Sequence, residues 1–337
     1  SNFSVLTEPC DPADGLLQGC SLGDRLFDTE YVTDALFKWQ HLVFLVYIFL
    51  FLYLGRWTYQ FKLWLYFKMT NGAQDYSFVD GFRKALTEDD NKALAVSFSG
   101  YMFAVGLILW GSMTDLDRAD DKQLKNLAYI AVFQLLGIVF LEVSRLLNDF
   151  VLLRKLRNNV EIVHKRNVAV ACAEAGTYAG TGYIVMGAVS GAITTWGDDI
   201  GSSFLFFALG QIGFLVFSVV INLPIITSYN LYDEIKRKNV AAGLLYALEV
   251  TAVGYLLSNS TVKSDALLTY LTWFLLGGTV LILTRYLIDW IIIPGQRLND
   301  EIRSDRNVGA ALLVGGLHLG IVHVMNTFLP DGCSNNT

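Results

Sequence analysis

Asn167, Asn239 and Asn307 each open an apolar run, in Asn167-Val168-Ala169, Asn239-Val240-Ala241 and Asn307-Val308-Gly309, and Asn91-Lys92-Ala93 is a weaker fourth copy. Each asparagine follows a charged segment and precedes roughly 20 apolar residues, the length that crosses a bilayer as a helix. A unit used four times in this way specifies a polytopic membrane protein built by duplication. Eight apolar runs are expected to be transmembrane helices, at about 39–67, 92–113, 124–153, 167–192, 203–229, 239–258, 265–293 and 307–329. The fold class is therefore all-α, eight membrane-crossing helices in two four-helix repeats. The 337 residues could hold two soluble domains, but 53% are hydrophobic and the 17% that are charged cluster between the runs. The intervening loops are too short for a separate soluble domain, which places the protein's work in or against the lipid bilayer.

Lysine and arginine stay preferentially on the cytoplasmic side. The loops after the odd-numbered runs (68–90, 154–166, 230–238 and 294–306) carry fourteen of them, the ends and remaining loops six, together with fifteen acidic residues. Both termini are therefore expected on the non-cytoplasmic side, with an acidic outer face that attracts cations. The basic residues are split among membrane-flanking loops, a distribution that argues against a nucleic-acid partner. Cys10, Cys20 and Cys333 all fall on the expected outside, where a disulfide between Cys10 and Cys20, or from either to Cys333, suits an oxidising compartment. Cys172 lies within a run and reads as a small core residue. The sequons at Asn2, Asn259 and Asn335 are also outside, which favours an attached-sugar, plasma-membrane or secretory-pathway protein over one of a bacterial inner membrane. No hydrophobic segment precedes the first run, so an N-terminus outside implies a signal peptide removed from a longer precursor.

The duplication is legible residue by residue. At an offset of 140, Ser144-Arg145-Leu146-Leu147-Asn148-Asp149-Phe150 faces Thr284-Arg285-Tyr286-Leu287-Ile288-Asp289-Trp290. Arg157, Asn159, Glu161, Arg166 and Asn167 then face Arg297, Asn299, Glu301, Arg306 and Asn307. At an offset of 148, Asn91, Val105 and Gly106 face Asn239, Val253 and Gly254. The halves are about 39–192 and 203–329, parallel and related by an axis along the membrane normal, with 1–38 and 330–337 as extracytoplasmic ends. Asparagine at the start of a returning helix is a strong N-cap, since its side chain accepts from an otherwise unpaired N–H near the lipid. Capping is the plain reading of Asn91, Asn167, Asn239 and Asn307; lining a cytoplasmic vestibule is the alternative.

Arg166-Asn167-Val168-Ala169, Lys238-Asn239-Val240-Ala241-Ala242-Gly243 and Asp305-Arg306-Asn307-Val308-Gly309-Ala310-Ala311 resemble the membrane-protein family catalogued as domain of unknown function 350. The resemblance implies two tandem four-helix units covering all but the first 38 residues, with the first helix pair the most divergent. It implies an integral membrane protein and brings no reaction and no catalytic residues.

Ionisable residues deep in a spanning helix cost about 2.5–3.5 kcal/mol each and need partners or water. Arg145 and Asp149 are four apart, as are Arg285 and Asp289, so each pair shares a helix face, with Glu142 joining the first at a spacing of three. They read as salt bridges that lock packing, or else as a charged ring along a pathway. Glu174 and Glu249 have no basic residue within reach on their own helices. Each must pair with an arginine of another helix, be protonated, or touch water. His318 and His323, five apart, suit hydrogen bonding better than metal ligation. Arg56 is a further charge within a run. Asn222-Leu223-Pro224 interrupts the fifth run, as a packing adjustment or an ion-coordinating break. Gly176/Gly180, Gly187/Gly191, Ala311/Gly315 and Gly316/Gly320 permit close helix contact, so the fourth and eighth runs are expected at the tight centre of each half. Trp39, Trp64, Trp110, Trp196 and Trp290 suit interfacial belts.

The sequence has no Walker A loop, His-Glu-x-x-His, Cys-x-x-Cys, Gly-x-Ser-x-Gly or dinucleotide fingerprint. No enzyme, cofactor or metal is called for. The expected function is a cation or proton channel or transporter using Glu174, Glu249, Arg145, Asp149, Arg285, Asp289 and Asn222; the alternative is a non-catalytic structural or assembly subunit. A homo-oligomer or larger membrane assembly suits either.

Overall fold

The computed structural model describes residues 39–69, 78, 80–114, 123–152, 158–190, 195–221, 223, 228–262, 267–292 and 295–328. The chain divides into two units, Ser1–Leu50 and Phe51–Thr337. In the first, residues 39–50 are the opening turns of helix α1, Trp39–Met69. The second holds the remainder of α1 and all the helices that follow.

Among the described residues every regular element is helical. After α1 come α2 (Asp80–Thr87), α3 (Lys92–Met113), α4 (Gln123–Val151), α5 (Asn158–Val163) and α6 (Val168–Val189). Then follow α7 (Trp196–Ile221), α8 (Leu231–Lys236), α9 (Val240–Val262) and α10 (Leu267–Leu287), which widens into a π-helical turn at Ile288–Ile292. α11 (Leu298–Arg303) and α12 (Val308–Thr327) complete the series. Six helices are long and apolar enough to cross a membrane: Lys92–Met113, Lys125–Val151, Trp196–Ile221, Val240–Ser260, Tyr270–Ile292 and Val308–Thr327. α6 falls outside that group on composition, because Glu174 and its many glycines and threonines dilute its apolar character.

Helix ends follow local chemistry. α7 begins before the expected position 203 because Thr195 Oγ1 accepts from Asp198 N (3.3 Å), and Asp198 and Asp199 occupy its positive first turn. It ends at Ile221, short of the expected 229; Pro224, just beyond, carries no N–H to continue the ladder. Asn222 and Pro224 themselves lie outside the described residues.

The four helices that start after asparagine pack side by side in chain order, α3 on α6, α6 on α9 and α9 on α12. Contact at this distance requires missing side chains. A Cβ on Gly254 would stand 2.2 Å from Gly180 O, and one on Gly176 would stand 2.2 Å from Ala247 Cα. α6, at the middle of the row, leaves only Val168, Ala175 and Tyr183 partly exposed. The expectation of a tight centre in each half is thus corrected. One continuous row crosses the repeat boundary, and α12 lies at its edge, where Gly316 and Gly320 meet nothing within 4 Å among the described residues.

The long helices between these form a second layer. α4 lies against α3 and α6, α7 against α6 and α9, and α10 against α9 and α12. Residues 51–69 of α1 cover α3, with Gly55 against Val105 and Tyr59 OH bonded to Ser97 Oγ (2.8 Å). The outer layer turns Leu135, Val139, Leu146, Phe204, Ile212, Val216, Leu275 and Leu283 outward, each at least half exposed. That much apolar exposure is tolerable against lipid and not against water.

Candidate functional site

Each returning helix begins in the same three-part turn. The residue before the asparagine takes a left-handed backbone: φ is 46° at Asp90, 51° at Arg166, 63° at Lys238 and 52° at Arg306. The asparagine side chain then accepts from the first turn: Asn91 from Leu94 N (3.1 Å), Asn167 from Ala169 N (3.1 Å), Asn239 from Ala242 N (3.2 Å) and Asn307 from Ala310 N (3.2 Å). The same amides also donate, and here sequence reasoning missed a contact. Asn91 Nδ2 donates to Ile162 O (3.1 Å), Asn167 Nδ2 to Ile235 O (3.3 Å) and Asn239 Nδ2 to Ile302 O (2.7 Å). Each of these carbonyls belongs to the short helix of the next unit, so the first three asparagines stitch the row together as well as cap it. Glu161, Glu234 and Glu301 also accept from Asn167, Asn239 and Asn307. Their recurrence shortly before each asparagine was the available signal. Near the same end, burial pushes the Tyr232 phenol of α8 up to about 12.

Deeper in, the structure brings the buried acids into two clusters. In the first, Glu174 Oε1 lies 3.2 Å from Lys62 Nζ, with the two side chains 4% and 5% exposed. Tyr178 OH donates to the same carboxylate oxygen (2.8 Å), and the ammonium stands 4.2 Å from the Tyr59 ring centre. Lys62 was not foreseen: it sits seven residues from the end of a long apolar helix and reads locally as a snorkelling interfacial lysine. Arg145 bonds Glu142 (2.8 Å) and Asp149 (3.2 Å) on its own helix. Asp149 additionally accepts from Asn158 Nδ2 (2.8 Å), fixing the start of α5.

In the second cluster, Arg285 Nη1 lies 2.8 Å from Glu249 Oε1, again with both side chains almost fully buried. This corrects the expected Arg285–Asp289 pair. Asp289 instead accepts from Leu298 N (2.8 Å) and caps α11. The physical reason is the π-helical turn at Ile288–Ile292: five residues per hydrogen-bonded step displace Asp289 from the i+4 position above Arg285. Arg285 also donates to Asn299 Oδ1 (3.3 Å). Beside the pair is a void of about 10 Å³ lined by Phe217, Ile221, Leu281, Ile282 and His318 as well as Glu249 and Arg285. Glu249 Oε2 and His318 Nε2 have no hydrogen-bond partner there, and the space matches a single water.

The remaining candidates lie apart. His323 Nδ1 meets Tyr255 OH (2.9 Å), on a different face from His318. Arg56 is exposed on α1. Cys172 is buried and free. Asn259 lies inside α9 with its amide donating to Tyr255 O (2.9 Å), a poor geometry for carrying sugar. Cys10, Cys20, Cys333, Asn2 and Asn335 lie outside the described residues. Among the described residues no cluster of three His, Cys, Asp or Glu could hold a metal ion.

A row of asparagine-started helices, an outer layer with an apolar exterior and paired charges between them define a multi-pass helical membrane protein with an internal duplication. The chain belongs to the family described as Domain of Unknown Function (DUF350), which matches it twice, over residues 31–189 and 195–329. No curated protein and no solved structure matches the chain.

Proposed function

We propose that this protein is a non-catalytic structural or assembly subunit of a membrane complex, in which buried ion pairs fix the helices against one another. On this reading α1 and α6 cross the bilayer with the six more apolar helices, giving eight crossings and both ends on the non-cytoplasmic side of a plasma or secretory-pathway membrane. The observation that carries it is the pairing of the two acids that lack a counter-charge on their own helices. Glu174 has Lys62 at 3.2 Å and Glu249 has Arg285 at 2.8 Å, each cation supplied by a different helix. A carboxylate so held has little freedom to take up and release a passing ion, whereas removing either partner strands a charge in oil.

One observation favours the alternative, a proton or cation route: Glu249 and His318 both line a water-sized void, and Glu249 Oε2 and His318 Nε2 each lack a hydrogen-bond partner among the described residues. Flux measurements on the purified chain in liposomes separate the two. With imposed proton, sodium and potassium gradients, the structural reading expects leakage equal to that of protein-free vesicles. Flux above that level that falls on Glu249→Gln or Glu174→Gln would replace it with the transport reading.

A further inference from the structure

Counting from each asparagine reveals a rule in how the row is assembled. The residue nine positions on faces the residue eight positions after the next asparagine: Gly100 meets Ala175, Gly176 meets Ala247, and Leu248 meets Gly315. The residue thirteen on faces the one fifteen after the next: Ala104 meets Gly182, and Gly180 meets Gly254. Each helix thus has an outgoing face, at positions 9 and 13, and an incoming face, at positions 8 and 15. The asparagine amide adds a third point by donating to the next unit's Ile162, Ile235 or Ile302 carbonyl.

The two ends of the row leave one of each face unused. On α12 positions 9 and 13 are Gly316 and Gly320, the same residue types as Gly176 and Gly180 on α6, and both are open among the described residues. Asn307 is bonded within its own turn to Glu301 Oε2 (2.8 Å), is exposed where the other three are buried, and has no following unit among the described residues. On α3 positions 8 and 15 are Ser99, exposed, and Gly106, which meets nothing within 4 Å among the described residues. Leu86, just after the Ala85 carbonyl that accepts from Asn91 N, stands where Ile162, Ile235 and Ile302 stand in their turns.

We propose that the outgoing face of α12 docks on the incoming face of α3 of a second copy, continuing the row from one protein to the next. Gly316 then meets Ser99 of the second copy, Gly320 meets its Gly106, and Asn307 donates to its Leu86 carbonyl. All four row helices run parallel, so copies inserted the same way present these faces in the orientation that the internal contacts already use. Small residues on both sides suit association in lipid, where close backbone approach replaces the hydrophobic effect. The two faces differ, so the contact is head-to-tail and propagates into a ring where its rotation closes. One internal bond is not reproduced: Arg166 and Lys238 donate to carbonyls of the preceding unit, but Asp90 occupies their place in the first turn. The inference gives the structural-subunit reading a specific partner and rests on it.

Disulfide cross-linking in native membranes tests the contact. Chains carrying Ser99→Cys and chains carrying Gly316→Cys, with different tags and co-expressed, are expected to form a mixed dimer on oxidation. Neither variant expressed alone should cross-link above the wild-type background. A dimer from Gly316→Cys alone would mean a symmetric α12–α12 contact and overturn the proposal, as would no mixed dimer at all. Native mass measurement in nanodiscs supplies the second readout. The wild type should contain two or more copies, and Gly106→Leu or Gly320→Leu alone one copy, since neither position meets another described residue of its own chain within 4 Å. Co-expressing those two variants should restore dimers and nothing larger, because each retains the face that the other lacks. Single-copy wild type would overturn the proposal. Flux through Glu249 with cross-linking intact would instead overturn the structural reading and leave the interface standing.

Discussion

At the scale of single residues, Glu249 and Arg285 show how a membrane interior holds charge. Their side chains are about 95% buried and 2.8 Å apart, so each is tolerable only because the other is present. Glu249→Leu or Arg285→Met alone is expected to destabilise the protein in detergent by about 3–5 kcal/mol, since each leaves one uncompensated charge. The double variant should return to within about 2 kcal/mol of the wild type, apolar replacement of a whole buried pair being nearly neutral. Unfolding midpoints of the four proteins in the cycle check this, and a double variant no better than the worse single one would remove the role of a lock. Sequence placed Glu249 in the bilayer without a partner on its helix but paired Arg285 with Asp289 by spacing alone. Spacing rules assume an α-helical step, and the π-helical turn that breaks the assumption leaves no clear mark in Ile288-Asp289-Trp290-Ile291-Ile292.

At the scale of elements, the four asparagine-started helices are distinguished less by their caps than by how closely they approach. Gly254→Ala puts a methyl group 2.2 Å from Gly180 O, and backbone cannot step aside as a flexible side chain can. Its expected cost is about 1–3 kcal/mol or more, the penalty of overpacking. Gly201→Ala, on α7 with nothing within 4 Å, is expected to be neutral or to gain up to about 1 kcal/mol from helix propensity. Thermal unfolding of the two variants side by side tests whether close approach, rather than glycine as such, holds the row. The glycine spacing was visible beforehand. Which glycines face a neighbour was not, because a helix that is apolar on every side carries no amphipathic signal to set its rotation.

At the scale of the whole molecule, the two repeats are not two domains. The contact of α6 with α9 joins them by the same geometry that joins α3 to α6 within the first repeat. All four asparagine turns consequently lie at one end of the row, and Ser190 and Phe328, at the ends of α6 and α12, at the other. Single cysteines at Glu88, Lys165 and Ser304, all exposed, should be labelled by an impermeant reagent from one face of sealed vesicles, and those at Thr195 and Phe328 from the opposite face. On the topology proposed above, the first face is the cytoplasmic one. Labelling of Lys165 and Thr195 from the same face would show that α6 does not cross.

Sequence alone determined the apolar runs, their pairing at offsets of 140 and 148, the asparagine at each return and the acids stranded among them. These are properties of single helices or of copies compared with each other, and hydrophobic length and side-chain type are enough to define them. Tertiary structure decided that Lys62, not an arginine, meets Glu174, that Asp289 caps a turn, and that one row with two unfilled edges runs through both halves. Those outcomes depend on the rotation and neighbours of each helix. In a chain surrounded by apolar side chains these are set by close packing between helices and not by any pattern along one of them.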